Sequence, residues 1–409
     1  MRHVYPFFLP GAQTILFMIT TDSGTEVAVL DIKKGSYRVL ASNGANPKYV
    51  RTGYLTYVRS GAMLAVPFDS KRAVVTGSET QVINGVGAIV GGNYGEYSFS
   101  DNGILVYMAG QGGPGGKSVL GWIDRKGVTQ RISDPQSWGN GRLSPDGLQV
   151  ANSINAVGPS VDIWSFDVQR HILTRLTFGG NNTDPVWTPD GRHIAYYGAS
   201  SGNRGIYWIA ADGSGKPELL ATIESSSVPC SFAPDGKTLV FSQPGTDKVS
   251  HLWTLPISGD VGKRKPALLH DTSFSESEAQ ISPDGRYVAY ASQESGASEV
   301  YVQPFPGPGA KTRISTQGGV APRWSRNGRE LFYWNAGRIG LQAVDVQTGN
   351  SFRAGLPRDV VRTFSGTTWD IAPDGNRFLV ELFPSGNTLR LETVVNWFDD
   401  LRRRVPAAK

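Results

Sequence analysis

A single cysteine, Cys230, stands among 409 residues. No intrachain disulfide can form, so redox pairing neither staples the fold nor fixes the compartment. Cys230 lies in an apolar-polar alternation and reads as a small buried hydrophobe. Long apolar runs are also missing. No stretch reaches the roughly 18 apolar residues of a membrane-crossing helix. The first 21 residues hold Arg2 and His3 followed by two apolar blocks. Pro10-Gly11-Ala12-Gln13 interrupts those blocks and no small-residue cleavage site follows, so no signal peptide is read there. Histidine is scarce: His3, His171, His193, His251 and His270 are all there are, and no two stand at metal-ligand spacing. Neither a metal nor a cofactor is expected. Charge of one sign is not concentrated. The net charge is +5, and the basic run Arg402-Arg403-Arg404 follows Asp399-Asp400 as a mixed-charge helix end would. Nucleic acid is therefore not an expected partner. Helical periodicity is absent before the last dozen residues, which removes helical solenoids.

What the chain has in quantity is Gly, 50 residues, and Pro, 25, at regular intervals. They mark a recurring stretch, seen most clearly in Trp187-Thr188-Pro189-Asp190-Gly191-Arg192-His193-Ile194-Ala195-Tyr196. An apolar residue precedes a Pro-Asp-Gly turn, and an alternating strand follows. The stretch returns at 143–151, 232–241, 281–290 and 371–380, with a softened copy, Arg326-Asn327-Gly328, at 324–333. The glycines of these six copies, Gly147, Gly191, Gly236, Gly285, Gly328 and Gly375, are spaced by 44, 45, 49, 43 and 47 residues. Weaker copies at Gly11, Gly53 and Gly103 add spacings of 42, 50 and 44. Pro sets φ for the first corner of a type I turn, Asp suits the second, and Gly takes the left-handed position after it. That is a hairpin connection with a Gly bulge.

Each repeat reads as four strands. In the copy around Gly191 they fall at 184–188, 192–197, 205–210 and 216–220. Four strands per repeat of about 45 residues is the pattern of a β-propeller blade. The expected fold is an all-β propeller of four-stranded antiparallel blades. Residues 1–135 read as three degenerate repeats, 136–396 as a six-bladed ring, and 397–409 as a short helix and tail. One ring of eight or nine blades is the alternative. The helix would take Asn396 as its cap and Pro406 as its stop. The segment 390–396 reads as the third strand of the last blade, whose fourth strand must then come from elsewhere. It would be 128–132 if the six clear repeats form one ring, or an N-terminal segment if all repeats form a larger one. Three blades cannot close a ring, so in the first case their apolar faces need another partner.

Repeats such as Ser282-Pro283-Asp284-Gly285-Arg286-Tyr287-Val288-Ala289-Tyr290 resemble those of TolB-like β-propellers. Longer blocks resemble a narrower group. They are Tyr301-Val302-Gln303-Pro304-Phe305-Pro306-Gly307-Pro308-Gly309, the block at 322–333, Asn46-Pro47-Lys48-Tyr49-Val50 with 64–69, and the ending Val394-Val395-Asn396-Trp397-Phe398. Together they are similar to the propeller region that follows the kinase domain of certain bacterial serine/threonine protein kinases. That resemblance implies a TolB-like, commonly six-bladed ring and a link to a kinase. The kinase motifs themselves, a Gly-rich loop after a strand, His-Arg-Asp and Asp-Phe-Gly, are not found, so kinase activity is not carried over.

Two local matches read as loops. Gly198-Ala199-Ser200-Ser201-Gly202 fits a nucleophile elbow in letters, but it joins two strands of one repeat and no helix follows. The segment 110–118 ends Gly116-Lys117-Ser118 like a phosphate loop, but Gln111 occupies the first required Gly and no helix opens after it. The aspartates of the turns, one per repeat at one position, read as turn formers. Functional candidates lie just upstream, where the chain enters each innermost strand: Trp138, Asn140, Arg142, Asn182, Asp184, Glu276, Glu278, Arg323, Trp369 and Asp370. Aromatic, guanidinium and carboxylate groups converging on one opening suit a peptide or small polar ligand. The expectation is a non-catalytic interaction or sensor module, bacterial in type, that binds a protein, a peptide or a small ligand. A propeller hydrolase or lyase, or a TolB-type envelope scaffold, is the alternative. The compartment is open: extracytoplasmic if the chain is part of a longer kinase, cytoplasmic otherwise. Whether Met1 is the true start is open too.

Overall fold

The computed structural model describes residues 2–21, 24–87, 95–109, 118–155, 160–200, 203–223, 225–260, 263–336, 340–349, 351–362, 368–383 and 390–405. They are largely strand, with one α-helix, Trp397–Arg404. Among them no helix is long and apolar enough to cross a membrane. The chain divides into two compact units, one of Ser118–Leu382 and one of Met1–Lys117 with Phe383–Lys409.

In Ser118–Leu382 the strands form successive antiparallel groups. The first sheet is Trp138–Leu143, Gln149–Asn155, Val161–Asp167 and Ile172–Arg175. The second is Asn181–Trp187, His193–Ser200, Asn203–Ala210 and Glu218–Thr222. The pair Val161 and Asn181 bridges the two. The third runs from Val228–Phe232 to Ala267–Leu268, and the fourth from Glu276–Ile281 to Thr312–Arg313. The fifth opens with Gly319–Trp324 and Glu330–Asn335, and its third strand Gly340–Thr348 takes both Phe352–Ala354 and Arg358–Arg362. The sixth joins the two ends of the unit. Trp369–Ile371 and Arg377–Leu382 are completed by Val119–Asp124 and Thr129–Arg131.

The repeated turn has one construction throughout. Its glycine lies in the left-handed region, with φ between 67 and 76° in all six copies. The Asp oxygen accepts the N–H two residues on, as Asp190 does from Arg192 at 3.0 Å and Asp374 from Asn376 at 2.8 Å. Four copies add a Ser or Thr before the proline or its substitute. Ser144, Thr188, Ser282 and Ser325 donate to that Asp or Asn oxygen and accept the N–H five residues on. Turns of adjacent sheets then stack. A Cβ on Gly285 would lie 3.5 Å from Pro234 of the preceding turn, and one on Gly147 would lie 2.6 Å from Pro373.

Sheet packs on sheet through large apolar residues. Trp187, 7% exposed, sits with Ala151, Ile163 and Ile194 between the first and second sheets. Its Nε1 donates to the Arg142 carbonyl at 2.9 Å, and Trp324 repeats the contact on the Gln280 carbonyl at 3.0 Å. The fifth and sixth sheets meet through Phe332 and Phe378, with ring centres 5.3 Å apart, and Trp334 and Trp369, 6.2 Å apart. The sixth packs back on the first through Leu120, Trp122 and Leu379 against Trp138, Val150 and Phe166. Through these contacts the sheets stabilise one another.

The last repeat corrects one expectation. Its third strand is Val119–Asp124, paired with Arg377–Leu382, and its fourth is Thr129–Arg131, within the expected 128–132. The segment expected as the third strand, Arg390–Val394, pairs instead with Leu105–Ala109 in the other unit. Val119–Asp124 is the more apolar of the two segments and is buried in this sheet, whereas Arg390–Val394 is largely exposed in its own. The compact unit therefore runs 118–382 rather than 136–396.

Among the described residues, the unit of Met1–Lys117 with Phe383–Lys409 forms three sheets. They are Arg2–Phe8 through Ser36–Ser42, Ala45–Val50 through Thr80–Asn84, and Tyr97–Phe99 with Leu105–Ala109 and Arg390–Val394. The helix Trp397–Arg404 covers an apolar face here. Trp397, Leu401 and Val405, each fully buried, pack among Val50, Met63, Val82 and Leu105. Asn396 does not cap it with its side chain. It is left-handed at φ 55°, and its carbonyl accepts the N–H of Asp399 at 3.1 Å. Pro406 lies outside the described residues. Arg402, Arg403 and Arg404 pair with Asp399 and Asp400 on the same helix.

Candidate functional site

In Ser118–Leu382 the innermost strands end on Leu143, Trp187, Phe232, Ile281, Trp324 and Ile371, each just before its turn. Counting back three residues gives Asn140, Asp184, Pro229, Glu278, Ala321 and Thr368. Asp184, Glu278 and Ala321 have φ of 56, 55 and 51°. Side chains other than glycine rarely take that conformation, and it costs about 1–2 kcal/mol per residue. Each marks a β-bulge. The pairing slips by one residue between Thr183 and Val186, between Ser277 and Gln280, and between Val320 and Arg323. The extra residue turns the side chains at this level inward.

One cavity results, about 580 Å³ with the open solvent at its mouth included. Asn140, Arg142, Asp184, Glu278, Arg323 and Trp369, six of the ten residues singled out by sequence, line it. Asn140 Nδ2 donates to Asp184 Oδ1 at 2.6 Å. Arg142 Nη2 donates to the Cys230 carbonyl at 2.6 Å. Glu278 Oε2 accepts the Ala321 N–H at 2.8 Å. The Arg323 guanidinium lies over the Trp369 ring, 5.6 Å from its centre. Burial raises the Asp184 carboxyl above its ordinary range, against the Asn140 hydrogen bond and the charge of Arg142. Burial, then the like charge of Arg142, pushes Arg323 down to about 9. It remains a cation at neutral pH.

Asp370 stands beside the cavity in a structural role. It accepts the N–H of Leu143 and of Ile371, both at 2.9 Å, and so ties the sixth sheet to the first. Trp138, Asn182 and Glu276 are turned away, which corrects their placement at the opening. Simple alternation would put a residue five before the turn on the same face as those at three and one. The bulge inserts one residue and reverses the face. Trp138 packs on Phe166, with ring centres 5.8 Å apart. Asn182 donates to the buried Asp162 at 3.1 Å and to the Gly179 carbonyl at 2.9 Å. Glu276 is held 2.9 Å from His270 Nδ1.

Sequence reasoning missed Pro229, Cys230 and Ala321, which also line the cavity. Position relative to the turn was the available signal, since all three stand two or three residues before a strand's last apolar position. Burial raises the Cys230 thiol. Among the described residues no group of three or more His, Cys, Asp or Glu is placed to hold a metal ion. Of the elbow-like match, Ser201 and Gly202 lie outside the described residues. Of its described residues, Ser200 closes the strand His193–Ser200. Of the phosphate-loop-like match, 110–117 lie outside them as well.

Comparison with known proteins follows the same lines. Residues 127–277 match the TolB beta propeller domain family. An uncharacterized protein of Agrobacterium fabrum is 30% identical over 141 residues, 33% of this chain and 46% of that protein. The uncharacterized peptidase YuxL of Bacillus subtilis is 27% identical over 110 residues, 23% of this chain and 16% of that protein. The chain thus spans less than half the length of these curated relatives. Among solved structures, a TolB of Agrobacterium tumefaciens superposes with a TM-score of 0.52 at 19% identity, covering 66% of this chain and 99% of that one. The expectation that the chain is not an enzyme is overturned here. Its relatives include a protein named as a peptidase. Missing kinase and elbow motifs do not make a propeller inert. Strand topology, the 127–277 family match and the TolB superposition agree on one architecture, and the fold of this chain is that of a TolB-like β-propeller.

Proposed function

We propose that Ser118–Leu382 is a six-bladed ring that captures a ligand in the cavity at its mouth. The observation that carries this is the pair of acidic residues, Asp184 and Glu278, held left-handed at one register in two blades and aimed into one cavity. Such strain clusters at ligand sites; Ala321 shares the bulge with no polar group to offer, so it is the two carboxylates that mark the site. A turn or a core position would be served by glycine or by ordinary strand geometry instead. The wall offers hydrogen-bond donors, acceptors and an aromatic face, which suits a peptide, a segment of a protein or a small polar molecule. Where such a ring is tethered to a kinase, as the blocks at 301–309 and 322–333 imply, capture would be the event relayed.

The test is a thermal-shift screen of the full chain against short peptides and polar metabolite-sized compounds. Any ligand found is then titrated against the Asp184→Ala/Glu278→Ala double variant. A ligand of this site loses at least ~10-fold in affinity, the usual scale for a buried charged hydrogen bond. Binding that is unchanged in the double variant sinks the assignment.

A further inference from the structure

Two arginines of the cavity are each anchored by half. Arg142, on the first sheet, passes the second sheet and donates through Nη2 to the Cys230 carbonyl of the third. Its Nη1 is buried and has no hydrogen-bond partner. Arg323, on the fifth sheet, donates through Nη1 to its own Pro322 carbonyl at 2.8 Å, and its Nε is buried without a partner. A guanidinium carries five N–H donors and accepts nothing, so only an added acceptor can satisfy these nitrogens. The two cations also act on one another, because the charge of Arg142 opposes that of Arg323. An anion between them would relieve both the unmet hydrogen bonds and the repulsion.

The acids nearby attract these cations, Asp370 and Glu278 acting on Arg323, but none hydrogen-bonds the buried nitrogens. Asp184 takes the Asn140 amide, Glu278 the Ala321 N–H, and Asp370 the N–H groups of Leu143 and Ile371. They do limit the charge the site accepts. A dianion would meet their repulsion, whereas a carboxylate carries one charge on two coplanar oxygens that fit an arginine fork.

We propose that the cavity binds a carboxylate between the guanidinium groups of Arg142 and Arg323. This rests on the mouth being a ligand site. The carboxylate belongs to a small organic acid or to the C-terminus of a peptide, and the two sources are separated by the test.

The full chain is titrated calorimetrically with acetate, succinate, phosphate, and one tripeptide in free-acid and amidated forms, at fixed ionic strength. Saturable binding is expected for succinate or acetate if the source is a small acid. It is expected for the free-acid tripeptide, and not its amide, if the source is a chain end. Phosphate binds more weakly than either. Arg142→Gln and Arg323→Gln each reduce carboxylate affinity by ~10-fold or more, the scale of a hydrogen bond to a charged group. Circular dichroism melting checks that each variant folds. Arg323→Lys, which keeps the charge but not the fork, is used if the Gln variant does not fold, and it too must weaken binding. The proposal is overturned if no carboxylate binds, if phosphate binds more tightly, or if the arginine variants leave carboxylate binding unchanged. A non-carboxylate ligand lost in Asp184→Ala/Glu278→Ala but kept in both arginine variants sinks the carboxylate and leaves the mouth standing. Carboxylate binding that depends on the arginines but not on those acids leaves the carboxylate standing and sinks the acid-based reading.

Discussion

The unit Ser118–Leu382 and the unit of Met1–Lys117 with Phe383–Lys409 share one hairpin logic but cover their sheet faces by different means. The first has six sheets in succession, and each face meets the next sheet. The second has three, too few to come round on themselves, and the helix Trp397–Arg404 lies on an apolar face instead. The turns differ in parallel. In Ser118–Leu382 five of the six turn glycines face a proline of a neighbouring turn, Gly375 being the exception, whereas a Cβ on Gly11 or Gly53 would meet nothing within 4 Å. The regular Pro-Asp-Gly sequence therefore tracks a packing demand between turns as well as a demand within each one. Where the neighbour is absent, the motif has no partner to keep, and only the glycine remains.

The strongest test of this contrast is Trp397→Ala. The side chain is fully buried, and its loss is expected to cost about 3–5 kcal/mol. Calorimetry should show one transition of the full chain fall sharply and another stay in place. A uniform shift of all transitions would show that the helix does not serve one unit. Next comes the pair Gly147→Ala and Gly53→Ala. Both glycines are left-handed, so each change costs about 1–2 kcal/mol in backbone strain. Only Gly147 also presses a Cβ on Pro373, at 2.6 Å, so its variant should melt lower. Equal losses would refute turn stacking.

A smaller effect is expected from Thr188→Ala, about 1 kcal/mol, because the His193 N–H loses its acceptor. This variant also has a pH signature. The Thr188 hydroxyl, then the Arg192 N–H, hold the Asp190 carboxyl below its ordinary 3.8. A depressed carboxyl adds stability above its unfolded value and loses it as pH falls through the folded one. The stability of Ser118–Leu382 should therefore drop below about pH 4, and the drop should be shallower in Thr188→Ala. Identical pH profiles would remove the hydroxyl as the cause. The least effect belongs to Arg402→Ala. Its pair with Asp399 is more than half exposed on both sides, so a change under about 0.5 kcal/mol is expected in a denaturant melt.

Sequence carried the turn, the period and the strand order because these are local. Pro, Asp and Gly impose their angles wherever they stand, so the copies around Gly147 to Gly375 were legible one by one. The Ser and Thr that brace four of these turns were equally visible in Ser144, Thr188, Ser282 and Ser325, but their bonds to the N–H five residues on were not foreseen. The bulges were not legible. Asp184 and Glu278 are ordinary acids in an alternating pattern, and nothing local says that each will take a positive φ. That is why Asn140, Asp184 and Glu278 fell on the cavity while Asn182 and Glu276, two residues earlier, did not. The choice of Val119–Asp124 over Arg390–Val394 was only partly hidden. The first is a near-continuous apolar run and the second is not, but the partner strand of each is fixed by contacts distant in sequence.

The sixth sheet has a consequence for how the protein is made. Ser118 and Glu381, hydrogen-bonded across it, are 263 residues apart in the chain. Until Arg377–Leu382 has left the ribosome, Val119–Asp124 pairs with Thr129–Arg131 alone, and its other edge stays open. At roughly 5–20 residues per second, that wait lasts tens of seconds. The earliest strand of this unit is thus the most exposed to aggregation during synthesis, and a holdase acting on the nascent chain would have its longest opportunity at Val119–Asp124.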